Sequence, residues 1–256
     1  MSAPEKAGHT FLASLGKTRL RPGGIEATEW LFSQSQLTPD SQVLEVACNM
    51  ATTAIELVQR FGCTVYAIDM DKQALARASR NVAEHGLEQH IHVMAANANI
   101  IPFADCSFDV VINEAMLTMY ADKAKAKLIA EYHRVLKPGG RLLTHDIMLT
   151  EHRLGEGDRH QLVQVVKSNV SPMTRQGWRA LFLDAGFEQV IQQNGGMTLM
   201  SPRGLVRDEG FGGALKIAFN GLRTRENRRR FLKMFRFFHA QRHRLNYIAC
   251  CSVKRK

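Results

Sequence analysis

The chain has 256 residues, 45% of them hydrophobic and 23% charged, which is enough to bury a sizeable core and suits one elaborated α/β domain. No apolar run approaches the ~18 residues of a membrane span, the first residues lack the apolar core of a signal peptide, and no period or low-complexity tract is visible, so a cytoplasmic protein is expected. The formal charge of +10 is local: between residues 221 and 244 eight Arg and Lys233 face Glu226 alone, and Lys254, Arg255 and Lys256 add to them.

In chain order, residues 1–20 read as polar and irregular, and a helix is expected over 25–37, where Ala27, Trp30, Leu31 and Phe32 lie at helical spacing. Together they would form an N-terminal cap over 1–37 whose Lys17, Arg19 and Arg21 either meet a carboxylate or phosphate on a ligand or are solvated charges on a mobile N-terminus. Val43-Leu44-Glu45-Val46 reads as a buried strand, and Ala54, Leu57 and Val58 recur at helical spacing after it. Strand, tight turn and helix in that order aim backbone N–H groups and the positive end of a helix dipole at a polar or anionic ligand. A second apolar strand, 64–68, ends in Asp69, which stands 24 positions after Glu45. Nucleotide-binding sheets place an acid for the ribose hydroxyls at about that spacing.

A helix over 74–86, a third strand over 91–94 and a fourth over 108–113 follow. Glu114 then stands at the rim where open α/β sheets bind ligands, either as a substrate contact or general base or as a cap for the next helix. After a helix over 123–136 and the turn Pro138-Gly139-Gly140, a fifth strand over 141–144 delivers His145 and Asp146 to the same rim. Adjacent strand residues point to opposite faces, so one of the two can face a substrate. His145 is the better base near neutral pH. Helices near 162–166 and over 174–186 precede a sixth strand at 187–200, and the last strand is 247–253. Residues 201–244 are therefore an insertion, with helical patterns at 214–222 and 226–244. Phe231, Met234, Phe235 and Phe238 share one face of the second. A lid over the site is expected, with membrane-surface contact, nucleic-acid contact or a plain solvated surface for the Arg-rich face as the alternatives.

The landmarks Glu45, Asp69, Phe108-Asp109-Val110-Val111 and Leu136-Lys137-Pro138-Gly139-Gly140, in that order, resemble the class I S-adenosylmethionine-dependent methyltransferases over residues 40–200. The resemblance implies a Rossmann-like seven-stranded, mostly parallel sheet with helices on both faces, and a single methyltransferase domain over 1–256 with the cap at 1–37 and the lid insertion at 201–244. It implies S-adenosylmethionine as cofactor, held by Glu45, Ala47, Cys48, Asn49, Asp69, Met70, Asn97, Ala98 and Asn113. Glu114 and His145 are the catalytic candidates toward a small-molecule acceptor, with room for an anionic one.

Two departures stand out. The family pattern acid-x-Gly-x-Gly-x-Gly has Ala47, Asn49 and Ala51 at its glycine positions. Alanine still allows close backbone approach, and Asn tolerates a left-handed conformation. Asn97 stands where the family carries an acid toward adenine, and its amide oxygen can accept from the adenine amino group. Five cysteines without paired ligand spacing read as reduced thiols, and no metal site is indicated. Two rivals come from other classes. One is an RNA methyltransferase working through the basic 225–244 face, although neither an RNA-binding module nor an Asn-Pro-Pro-Tyr-type motif is seen. The other is a non-catalytic binding protein whose altered turn has lost the cofactor.

Overall fold

The apolar runs at 42–46, 64–69 and 108–114 pair side by side in a computed structural model that describes residues 8–150, 156–166 and 170–256. The strands are β1 (Gln42–Val46), β2 (Thr64–Asp69), β3 (Ile91–Ala95), β4 (Phe108–Glu114), β5 (Leu136–Leu149), β6 (Met173–Thr174), β7 (Phe187–Gly196) and β8 (Leu245–Lys254). The sheet runs in the order β3-β2-β1-β4-β5-β8-β7, with β6 beside the end of β5. The pairs from β3 to β5 are parallel, and β8 lies antiparallel between β5 and β7. The chain leaves β1 for β2 on one side and returns to β4 on the other, so the carboxyl ends of β1 and β4 flank the crevice where such sheets bind ligands. The expected seven strands are present, and two-residue β6 makes an eighth.

Helices cover both faces. On one, α2 (Gly24–Gln34), α3 (Thr52–Phe61) and α4 (Lys72–Glu84) send Leu31, Leu57 and Ala78 into a cluster with Val43, Val65 and Ile112. On the other, α5 (Asp122–Val135) and α7 (Arg175–Asp184) bury Tyr132, Trp178 and Phe182 against Leu44, Val111 and Leu142. Neighbouring strand residues thus feed opposite clusters, as strand geometry demands.

A third cluster lies off the sheet and holds the elements that the sequence disclosed least. It joins α1 (Gly8–Ser14), α6 (Glu156–Val166), α8 (Pro202–Arg223) and α9 (Arg225–Ala240) to Leu149 and Leu245 at the ends of β5 and β8. α1 corrects the expectation of an irregular N-terminus from residue 8 onward; residues 1–7 of the expected cap lie outside the described residues. Phe11, Leu12 and Leu15 drive α1 onto Phe231, Met234 and Phe237 of α9, each such side chain worth about 1.5–3 kcal/mol when fully buried. The insertion is a helical hairpin. Ser201 caps α8 by accepting from Gly204 N–H at 2.9 Å, and Thr224 ends α8 and caps α9 by accepting from Asn227 N–H at 3.1 Å. Gly210, at φ 71°, breaks α8 internally. Among the described residues no helix is long and apolar enough to cross a membrane.

Candidate active site

β1 ends at Val46, and the chain then crosses to α3 through Ala47–Ala51, a turn held in an unusual conformation. Ala47, Asn49 and Ala51 have φ of 57°, 49° and 57°, all in the left-handed region. These are the positions at which the family pattern places its glycines, so the turn has the shape that glycine would allow without any glycine in it. Each left-handed alanine costs roughly 1–2 kcal/mol, strain of a kind that collects at functional sites. Ala115, which follows β4 on the facing side, is left-handed as well, at φ 55°.

Asp69 fastens the turn. Its Oδ2 accepts from Asn49 N–H at 3.0 Å and its Oδ1 from Asp71 N–H at 2.9 Å, and among the described residues no cation pairs with it. Each oxygen has one such bond and keeps capacity to accept another. Glu45 is buried beneath the turn and accepts from Ala54 N–H at 3.1 Å. Burial, with the Glu114 charge nearby, pushes its carboxyl up to about 8, so it is protonated at neutral pH.

A cavity of about 720 Å³ opens over these residues. Its floor is the 47–51 turn, Glu45 and Asp69; its flank is Met70, Asp71 and the segment Ala96–Ala98; its far wall is Glu114, Met116, Met119 and Tyr120; its roof is His9, Thr10, Ala13 and Ser14 of α1 with Thr18, Leu20 and Arg21. Of the residues expected to hold the cofactor, Glu45, Ala47, Cys48, Asn49, Asp69, Met70, Asn97 and Ala98 all line it.

Asn113 does not line it. Fully buried, it donates through Nδ2 to Thr144 Oγ1 at 3.0 Å, so it braces β4 against β5. His145 is the second correction. It too is fully buried away from the cavity, and both ring nitrogens are engaged: Nδ1–H donates to Glu114 Oε1 at 3.0 Å, and Nε2 accepts from Gly23 N–H at 2.9 Å. In this arrangement neither ring nitrogen of His145 faces the cavity.

Glu114 does reach the cavity, but its carboxylate is closed by the protein. Thr28 Oγ1 donates to it at 2.8 Å, Thr53 Oγ1 at 2.7 Å, His145 at 3.0 Å, and the buried Arg21 guanidinium pairs with it. Burial alone would raise this carboxyl, yet Arg21, with His145 and Thr53 beside it, holds it well below the usual carboxylate range. A carboxylate with four donors and a depressed proton affinity is a poor base. It ties the roof, through Arg21, to α2, α3, β4 and β5.

The remaining cap cations are also paired, which corrects the expectation that they stand ready for an anion. Lys17, 1% exposed, lies between Asp208 Oδ2 at 3.3 Å and Glu209 Oε1 at 3.4 Å. Arg19 pairs with Glu56. Glu209 also accepts from the N–H groups of Thr18 and Arg19, both at 3.0 Å, and Asp208 accepts from Ile25 N–H at 3.0 Å. Gly24, at φ +57°, is required here, since a Cβ would stand 2.1 Å from the Asp208 carboxylate. The first half of α8 thus clasps the roof from outside. No residue of 201–244 lines the cavity; the insertion backs the roof instead of forming it.

Comparison with known proteins agrees with this geometry. Residues 43–140 match the profile of a methyltransferase domain. An uncharacterized protein of Haemophilus influenzae is 50% identical across 98% of this chain and 100% of its own length. Methyltransferase GfsG of Streptomyces halstedii is 32% identical over 51% of this chain, which spans about half of that relative, 46%. Among solved structures, Haemonchus contortus phosphoethanolamine N-methyltransferase 2 in complex with S-adenosyl-L-methionine shares the fold at a TM-score of 0.78 and 17% identity, over 97% of this chain and 57% of that one.

Proposed function

Because the chain belongs to the class I S-adenosylmethionine-dependent methyltransferases, we propose that its cavity holds S-adenosylmethionine along the 47–51 turn and Asp69 and passes the methyl group to a small-molecule acceptor beneath α1. One observation carries the reading: the three residues at the family's glycine positions are all left-handed. A turn released from ligand binding would have no reason to keep two alanines in a conformation that costs roughly 1–2 kcal/mol each.

The chemistry of the lining fits the same group. Both Asp69 oxygens keep lone pairs for ribose hydroxyls beyond their bonds to backbone N–H. Met70 and Ala98 offer apolar surface to a purine, and the Asn97 amide offers an acceptor to its edge. When bound, S-adenosylmethionine supplies an electrophilic methyl group on a sulfonium. Protonated Glu45 places no full negative charge under the turn and can donate a hydrogen bond. Tyr120, Met116, Met119 and α1 screen the acceptor side from water, so transfer rests on alignment and desolvation. Glu114 acts as a positioning residue, holding Arg21 and the roof in register with β4.

Lys17, Arg19 and Arg21 are neutralised within the protein, which favours an acceptor that none of them needs to recognise. Titration calorimetry with S-adenosylmethionine and S-adenosylhomocysteine tests the cofactor, and binding of neither would overturn it. Incubation of a cell extract with methyl-labelled cofactor tests the acceptor: label in the small-molecule fraction supports the reading, and label confined to RNA replaces it.

A further inference from the structure

The second half of α8 carries four large apolar side chains that no described residue covers. Phe211 is 70% exposed, Leu215 56%, Phe219 65% and Leu222 46%. Their spacing of four, four and three places them along one outward stripe of the helix, opposite Ile217 and Gly221, which pack inward near Phe231. A run of this size left to solvent marks an interaction surface.

The charge beside the stripe indicates what it meets. Lys216 and Arg223 on α8 and Arg225, Arg228, Arg229, Lys233 and Arg236 on α9 are exposed, and none of them makes an ion pair among the described residues. Glu226 is the single acid between 211 and 240. By contrast Arg230 is turned inward, 4.4 Å from the Phe11 ring. Unpaired cations flanking exposed Phe and Leu form the pattern of a helix that lies in the plane of an anionic bilayer, its apolar side chains among the acyl chains and its cations at the headgroups. A second copy is a poorer occupant, since a twofold contact through this hairpin would oppose seven cations with seven others and one acid on each side. A nucleic acid would satisfy the cations but leave Leu215 and Leu222 in water.

We propose that the α8–α9 hairpin docks the protein on anionic membrane surfaces through the Phe211, Leu215, Phe219, Leu222 stripe and its flanking arginines. The hairpin packs on the back of α1, whose other side roofs the cavity, so a docked molecule would hold its acceptor side close to the bilayer.

Flotation of the full chain with vesicles tests this independently of methyl transfer. Partitioning onto vesicles containing phosphatidylglycerol, absent on phosphatidylcholine alone and weakened by salt, is expected. Phe211→Ser with Phe219→Ser should lower partitioning at least tenfold without altering charge. Arg225→Glu with Arg228→Glu and Arg229→Glu should lower it by a factor of about five for each cation removed. Thermal unfolding and cofactor calorimetry, unchanged in both variants, would show that the fold survives. Three results would overturn the proposal: equal partitioning on neutral and anionic vesicles, parental partitioning by the serine variant, or a dimer in light scattering that the serine variant converts to monomer. RNA binding lost in the arginine variant with no vesicle binding in the parent would transfer the surface to nucleic acid.

Discussion

Asp69 and Arg21 both border the cavity, and their charges end in different places. Asp69 accepts two backbone N–H bonds, pairs with no cation among the described residues and lines the cavity. Arg21 is buried against Glu114 and bonded to Thr28 at 2.7 Å, so its charge is consumed inside the protein. Lys17 and Arg19 follow Arg21. The floor therefore keeps polar capacity in reserve for a ligand, whereas the roof uses the same kinds of group to hold its own position. Substitutions on the floor should cost affinity and substitutions in the roof should cost stability.

The largest effect belongs to the roof. Glu114→Gln leaves the Arg21 charge buried and unpaired, which should lower unfolding free energy by about 3–5 kcal/mol in denaturant titrations. A change within experimental error would show that water reaches the pair and that the roof is looser than its contacts indicate.

Next comes the floor. Asp69→Ala removes charge-assisted bonds of roughly 1.5–3 kcal/mol each to the ligand, so affinity for S-adenosylmethionine should fall by at least about 100-fold by calorimetry, with a loss of unfolding free energy, from the Asn49 and Asp71 N–H bonds, smaller than that of Glu114→Gln. The opposite outcome, parental affinity and a large loss of stability, would reverse the roles assigned to the two sides.

Glu45 and Glu114 sharpen the contrast through pH. The Glu45 carboxyl is raised in the folded protein to about 8 from 4.5. Between those values the unfolded chain has released this proton and the folded protein still holds it, so stability falls as pH rises, by at most about 1.4 kcal/mol per unit. Glu114 has the opposite sign: its contribution is present above its ordinary value and is lost as pH falls. Glu45→Gln should flatten the decline between about pH 5 and 8 in denaturation series, and an unchanged slope would mean that Glu45 is ionised beneath the turn.

The smallest effect tests the turn. Ala47→Gly removes a left-handed penalty of roughly 1–2 kcal/mol and costs about 0.5–1 kcal/mol in backbone entropy, so a gain of up to about 1.5 kcal/mol is expected with cofactor affinity equal or better. Lost binding would show that the Ala47 methyl group touches the ligand.

These floor residues were the legible part of the sequence. Asp69 follows Glu45 at a spacing fixed by the β1–α3–β2 unit, and that local geometry survives loss of every glycine. The roof was hidden because its determinants are distant. α1 is seven residues long and forms on a cluster contributed by α6, α8 and α9, and Lys17 finds Asp208 191 positions away. No periodicity within residues 1–20 carries that information. His145 misled for a related reason. Its place on β5 marks the rim, but Gly23 N–H, supplied by the roof, occupies the nitrogen that a base would need. The lid reading of 201–244 found the apolar face of α9 and missed that α1 lies between it and the cavity.

The position of β8 bears on how the chain is made. Among the described residues β7 pairs only with β8, and β8 is an interior strand that also pairs with β5. Translation therefore releases β7, α8 and α9 before the strand that seats them exists. The 58 residues from the end of β7 to the end of β8 take roughly 3–12 s to synthesise at 5–20 residues per second. During that interval the β5 and β7 edges and the apolar stripe of α8 are exposed together, the condition under which edges aggregate. Yield of native protein should thus respond to translation rate and chaperone supply more steeply than the stability of the finished fold would suggest.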